Sequence, residues 1–153
     1  MGETRKIIWC TISLILIPLV SLGASKIEVK KPWVMEVPSV STVTAVYMVI
    51  ENNGDEDDRL IGVSVDAADS AEIHTTTVDE RSVVSMKKSE SLDIPSGGVV
   101  ELKPGGSHIM LIGLEKPLEK GGQVELDLKF EKFGGVKVHA FVMGMDSGGM
   151  HGH

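Results

Sequence analysis

Turn-forming residues keep every apolar run in this chain short. Pro95-Ser96-Gly97-Gly98 and Lys103-Pro104-Gly105-Gly106 each carry a proline into paired glycines, and Asn52-Asn53-Gly54-Asp55 and Gly134-Gly135 add two more turns. Between them lie runs of roughly 4–8 residues rich in Val, Ile and Thr, which is strand length and strand chemistry. Gln123 to Phe130 is the cleanest, with Val124, Leu126, Leu128 and Phe130 on one face and Glu125, Asp127 and Lys129 on the other. No amphipathic helix competes with this pattern. The chain is therefore expected to be all-β, about eight or nine strands in a β-sandwich or small Greek-key barrel.

Composition sharpens that expectation. The 153 residues suit one domain with a real core and show no internal repeat. Hydrophobic residues make up 42%, yet only two Trp, one Tyr and three Phe are present, so Val, Leu and Ile must fill the interior. The net charge of −7 excludes a nucleic-acid partner, which needs a basic face, and is compatible with attracting cations. Taken in order, strands are predicted over residues 26–37 (an opening edge strand), 43–50, 60–65, 71–77, 83–88, 108–114, 123–130 and 136–142, with Ala67-Ala68-Asp69-Ser70 as a break and with Leu92-Asp93-Ile94 and Val99 to Leu102 leading into the two Pro-to-Gly-Gly turns. The polar connector Val78-Asp79-Glu80-Arg81-Ser82 predicts a hairpin whose arms carry His74 and Met86 at comparable distances from its tip.

Residues 1–24 read as a secretory signal peptide. Arg5 and Lys6 precede an apolar stretch shorter than a membrane span, and Ser21-Leu22-Gly23-Ala24 supplies small residues for cleavage near Ala24. Loss of Glu3, Arg5 and Lys6 takes the net charge from −7 to −8. The single cysteine, Cys10, leaves with the leader, so the exported chain would have no disulfide, no thiolate ligand and no membrane span. Residues 25–142 are then the domain, and 143–153 a mobile tail too poor in apolar residues to join a core.

Four residues stand out against this background. Met86 lies 12 positions after His74, His108 lies 22 after Met86, and His108-Ile109-Met110 sets an imidazole and a thioether two apart, on one face of a strand. Singly, a strand Met is core filling and a His beside a turn is solvated. Together, two imidazoles and two thioethers form a soft, neutral donor set suited to Cu(I). Imidazole binds a metal only when unprotonated, so affinity should fall as pH drops through its ordinary range near ~6.5.

The spacing resembles the PCuAC family of periplasmic copper chaperones, whose motif is His-Met-x10-Met-x21-His-x-Met. His74, Met86, His108 and Met110 fill its ligand positions, and Thr75 stands where the family usually has Met. Similarity extends through Pro32-Trp33, Ala45-Val46-Tyr47-Met48, Glu51-Asn52, Asp58-Arg59-Leu60 and residues 100–106. The resemblance implies a cupredoxin-like fold and a non-enzymatic, periplasmic Cu(I) chaperone. Its implied partner is a copper-accepting subunit of a respiratory oxidase, at the CuA centre, or another copper chaperone.

Other readings stay open. A copper-sequestering resistance protein would store the ion, and an adhesive β-sandwich would carry the motif by accident. An electron-transfer cupredoxin is disfavoured by the missing thiolate. In the tail, Met143, Met145, Met150, His151 and His153 are either chance residues of a disordered end or a second, flexible site for Cu(I) and Cu(II). Alternation places His139 outward with Lys137, on a face shared with Phe141.

Overall fold

The structure, a computed structural model, describes residues 25–144. Ten strands make up the fold: β1 (Ile27–Met35), β2 (Val43–Asn52), β3 (Asp58–Val65), β4 (Ala68–Val78), β5 (Val84–Ser89), β6 (Leu92–Ile94), β7 (Val99–Leu102), β8 (His108–Leu114), β9 (Gln123–Phe130) and β10 (Gly134–Met143). Hydrogen bonding runs in the order β5-β4-β8-β2-β1-β10-β9-β3-β6, with β7 paired to β2. The path folds over on itself, so inward residues of both halves meet in a single cluster. Val34, Val46, Ile50 and Leu111 from one half pack with Leu126, Leu128 and Phe130 from the other. The chain is an all-β sandwich with crossovers, built mainly from aliphatic side chains, as composition requires.

Strand β1 is not the edge strand that its lysine-rich start predicts. It lies inside the order, antiparallel to β2 and parallel to β10. A bulge explains how one strand serves both neighbours. The register to β2 shifts between Lys30 and Trp33, and Lys31 takes φ 50°. Pro32 has no N–H to withhold from the ladder, so the irregularity costs little hydrogen bonding. The extra residue also changes side-chain parity. Before it Ile27 and Val29 oppose Asn52 and Ile50, while after it Val34 opposes Val46 in the core and Trp33 opposes Tyr47 on the outer face.

Two further boundaries move for tertiary reasons. The break predicted at residues 67–70 shrinks to Asp66 and Ala67, because Ala68 and Ser70 pair with Leu114 and Ile112 of β8. Ladder bonds to a neighbour override the weak strand preference of Ala and Asp. The turn predicted at Gly134-Gly135 falls over residues 131–133, and Gly134, at φ 96°, already pairs with Phe130. Gln123–Phe130 and His108–Leu114 match their predicted limits. Met143 closes β10, paired with Met35, so the tail boundary moves past it; Met145, Met150, His151 and His153, and the leader, lie outside the described residues.

Buried polar side chains tie the turns to the strands. Asn52, 1% exposed, donates to the carbonyls of Glu56 and Ile94 and accepts from the backbone N–H groups of Lys26 and Gly54. Asp58, 2% exposed, accepts from the backbone N–H groups of Arg59, Lys132 and Phe133 at 2.7–2.9 Å, joining the start of β3 to the β9–β10 turn. Burial by itself raises the Asp58 pKa. Hydrogen bonds from Lys132, Ser25, Arg59 and Phe133 outweigh it and hold the carboxyl below the ordinary carboxylate range.

A depressed folded-state pKa means that Asp58's contribution is complete above the unfolded value near ~3.9 and is lost as pH falls through the folded value. Asp58→Ala is expected to cost roughly 3 kcal/mol near neutral pH, because buried N–H groups lose their acceptor. Urea unfolding from pH 7 to pH 2 checks this. The wild-type midpoint should fall more steeply in the acid limb than that of the variant.

Candidate metal centre

Antiparallel pairing of β4 with β8 sets His74 opposite His108, Ile73 opposite Ile109 and Glu72 opposite Met110. Cross-strand partners share a face and successive residues alternate. One face therefore carries Glu72, His74, His108 and Met110, while Ile73, Ile109 and Leu111 on the other are buried in the core. The candidate ligands lie on the outer face of the sheet, not between its layers. His108 opens β8, as the turn before it predicts, but β8 is flanked by β4 on one side and β2 on the other.

The predicted hairpin forms, with one difference in register. Met86 on β5 is opposite Thr76, and His74 is opposite Lys88, so the two candidate ligands are offset by two residues instead of lying level. His74 thus becomes the hub. His108 is its direct neighbour, and Met86 and Met110 are its diagonal neighbours on opposite flanks. Diagonal pairs lie about 7–8 Å apart at Cα, within reach of long side chains. Ala45 of β2, the other partner of Met110, is small and leaves room beside the thioether. Thr75 points to the opposite face by alternation, so its departure from the family's Met leaves this donor set unchanged.

The two imidazole ring centres are 5.3 Å apart and tilted by 41°. Metal–imidazole bonds of about 2.0–2.1 Å to one nitrogen of each ring put the centres roughly 5–6 Å apart, so the pair already has the spacing of two ligands to one ion. Behind His108 the row continues through Tyr47, 6.4 Å away, to Trp33, 4.6 Å further. Burial raises the Tyr47 pKa. Exposure differs across the site: His108 is buried at 6% exposed and His74 is partly buried, with its side chain 17% exposed, whereas Met86 is 52% exposed at the rim.

Both rings are held by hydrogen bonds. His108 Nδ1 lies 3.0 Å from the Gly106 carbonyl, inside the turn that precedes β8. His74 Nε2 lies 3.0 Å from Glu72 Oε2, and the other Glu72 oxygen accepts from Lys88 Nζ at 2.7 Å. The Lys88 hydrogen bond, then the His74 one, hold the Glu72 carboxyl below its usual range. Glu72 and Lys88 escaped attention in the sequence. Glu72 is two residues before His74 and could have been placed by alternation, but Lys88 joins it only through the hairpin register.

Comparison with known proteins fits the geometry to a family. A family model described as "Putative lipoprotein LpqE-like" matches residues 27–142. The copper-bound PCuAC domain from PmoF2 superposes with a TM-score of 0.67 at 29% identity, over 80% of this chain and 97% of that one. The chain belongs to the LpqE-like, PCuAC-type family. The solution structure of CuI-DR1885 from Deinococcus radiodurans is similar at a TM-score of 0.61 and 28% identity, over 88% of this chain and 85% of that one. "Putative lipoprotein Lxx21020" of Leifsonia xyli subsp. xyli (strain CTCB07) is 34% identical over 107 residues, 70% of this chain and 63% of that protein. The chain spans about three fifths of the length of the curated relatives it matches.

His139 is outward on β10 within 3.7 Å of Glu125, on the face that alternation assigns it and far in the strand order from the His74–His108 pair. Among the described residues no helix is long and apolar enough to cross a membrane. On the face that carries His74, Thr76 Oγ1 is buried with no hydrogen-bond partner. An unpaired hydroxyl costs desolvation without return. Thr76→Val is therefore expected to leave stability unchanged or to raise it by up to about 1 kcal/mol, read from the thermal unfolding midpoint; a clear loss would mean that the hydroxyl has a partner in solution.

Proposed function

We propose that this LpqE-like chain is an exported, non-enzymatic Cu(I) carrier. His74, His108, Met86 and Met110 hold the ion and release it to a copper-accepting partner. The observation that carries this reading is the placement of His74 directly opposite His108 on an open sheet face, with a thioether diagonal to His74 on either flank. Copper-bound and Cu(I) forms of its structural neighbours support the choice of ion. Relatives named "Putative lipoprotein" support export; the residue pattern of positions 1–24 adds, as part of this reading, cleavage near Ala24 into the periplasm.

The donor set fits a cargo better than a resident cofactor. Thioether and neutral imidazole match the softness of Cu(I), and no charged ligand holds the ion against transfer. Graded exposure gives an order of exchange. Met86 at the rim is free to leave first and make room for a partner's ligand, while buried His108 holds on until the ion is shared. Without cysteine, the exported chain keeps its sulfur donors as thioethers, which form no disulfides in an oxidising compartment. The recipient of this reading is the CuA centre of a respiratory oxidase or a second copper chaperone, and residues 145–153 supply a second, weaker site through Met145, Met150, His151 and His153, for Cu(I) or Cu(II).

An anaerobic Cu(I) titration against a competing chelator tests the reading. One tight equivalent is expected, retained when residues 145–153 are removed and weakened at least about 10-fold in His108→Ala, with a smaller loss in Met86→Ala. Unchanged affinity in both variants would sink the proposed site. Mixing the loaded chain with an empty CuA-type acceptor domain then separates carrier from store: transfer is expected, and retention of copper beside an acceptor of higher affinity favours sequestration.

A further inference from the structure

Glu72 lies on the copper face, yet among the described residues no three His, Cys, Asp or Glu side chains are grouped to hold a metal ion. Its carboxylate is engaged elsewhere. One oxygen lies 3.0 Å from His74 Nε2 and the other 2.7 Å from Lys88 Nζ. Lys88 is on β5 directly opposite His74, so the three side chains form a bridge across the hairpin: lysine, carboxylate, imidazole.

We propose that Glu72 is a positioning residue that fixes His74 as its Nε2–H tautomer and leaves Nδ1 as the nitrogen offered to copper. The inference rests on the carrier reading above and specifies how its ligands are presented. An ionised carboxylate only accepts hydrogen bonds, so the proton in the 3.0 Å contact belongs to His74 Nε2. A neutral imidazole carries one N–H, and the lone pair is then on Nδ1. His108 is set the opposite way. The Gly106 carbonyl, 3.0 Å from Nδ1, also only accepts, which places the proton on Nδ1 and the lone pair on Nε2.

The copper face therefore presents unlike nitrogens from its two histidines. Both hydrogen bonds survive when the ion binds, so neither ring has to turn or exchange its proton, and the ordering is done before the metal arrives. Lys88 holds the far carboxylate oxygen and keeps Glu72 from swinging toward the metal. This makes Glu72 the outer partner of a ligand histidine, although it lies on the same face and only two residues away.

Long-range 1H–15N correlation spectra of the 15N-labelled chain at pH 8, metal-free and with one equivalent of Cu(I) added anaerobically, test the assignment. In the metal-free chain His74 should show the Nε2–H tautomer and His108 the Nδ1–H tautomer, and Cu(I) should displace the signals of His74 Nδ1 and His108 Nε2. Glu72→Ala should give a mixture of His74 tautomers, leave the His108 pattern intact as a control on folding, and weaken Cu(I) binding about 10- to 100-fold. Glu72→Gln keeps a carbonyl oxygen able to accept from Nε2 and should restore both the single tautomer and most of the affinity. Cu(I) on His74 Nε2, or an unchanged tautomer and affinity in Glu72→Ala, overturns the proposal. A wild-type chain with the expected tautomers that takes up no Cu(I) leaves Glu72's role in place and removes the carrier reading instead.

Discussion

The register between β4 and β8 is the constraint on which both core and site depend. The same ladder that opposes His74 to His108 opposes Ile73 to Ile109. Because strand side chains alternate with period two, a slip of one residue in either strand would turn imidazoles into the core and isoleucines into solvent. Burial of Ile73, Ile109 and Leu111 therefore fixes which face the two imidazoles occupy. Hydrophobic packing on the far side of the sheet thus holds the two imidazoles side by side.

The bulge in β1 performs a second alignment. An unbroken alternation from Ile27 and Val29 would point Trp33 inward. The extra residue at Lys31-Pro32 reverses parity, so Val34 enters the core and Trp33 comes out beside Tyr47. This completes a row of rings, Trp33, Tyr47, His108 and His74, along the outer face of the sheet. Apolar walls exclude water and lower the local dielectric, which strengthens the hydrogen bonds that hold the rings. On the opposite flank Met86 remains open to solvent at the hairpin side.

Polar groups keep the sandwich ends in place while the site end stays adaptable. Asn52 and Asp58 satisfy backbone groups around the β2–β3 and β9–β10 turns, far in the strand order from β5. At the site end the hairpin tip exposes Val78, Val83 and Val84 together with Met86. Few apolar contacts hold that tip, which is where local opening costs least. The two packed imidazoles thus stand beside a thioether on the least supported part of the sheet.

Much of this was written in local sequence. Alternation and turn chemistry determined Gln123–Phe130 and His108–Leu114 as strands, the all-β class, the β4–β5 hairpin and the outward face of His139, because those depend only on residues near one another in the chain. The spacing of His74, Met86, His108 and Met110 and the absence of cysteine after position 10 likewise fixed the chemistry available to a metal. Tertiary structure decided what pairing alone can set: that β1 is internal, that Ala68–Ser70 belongs to a strand, that Met86 is level with Thr76, and that Lys88 meets Glu72 beside His74. The physical reason is that a strand's sequence determines which residues share a face, but only its hydrogen-bonded neighbour determines which residues of another strand they meet.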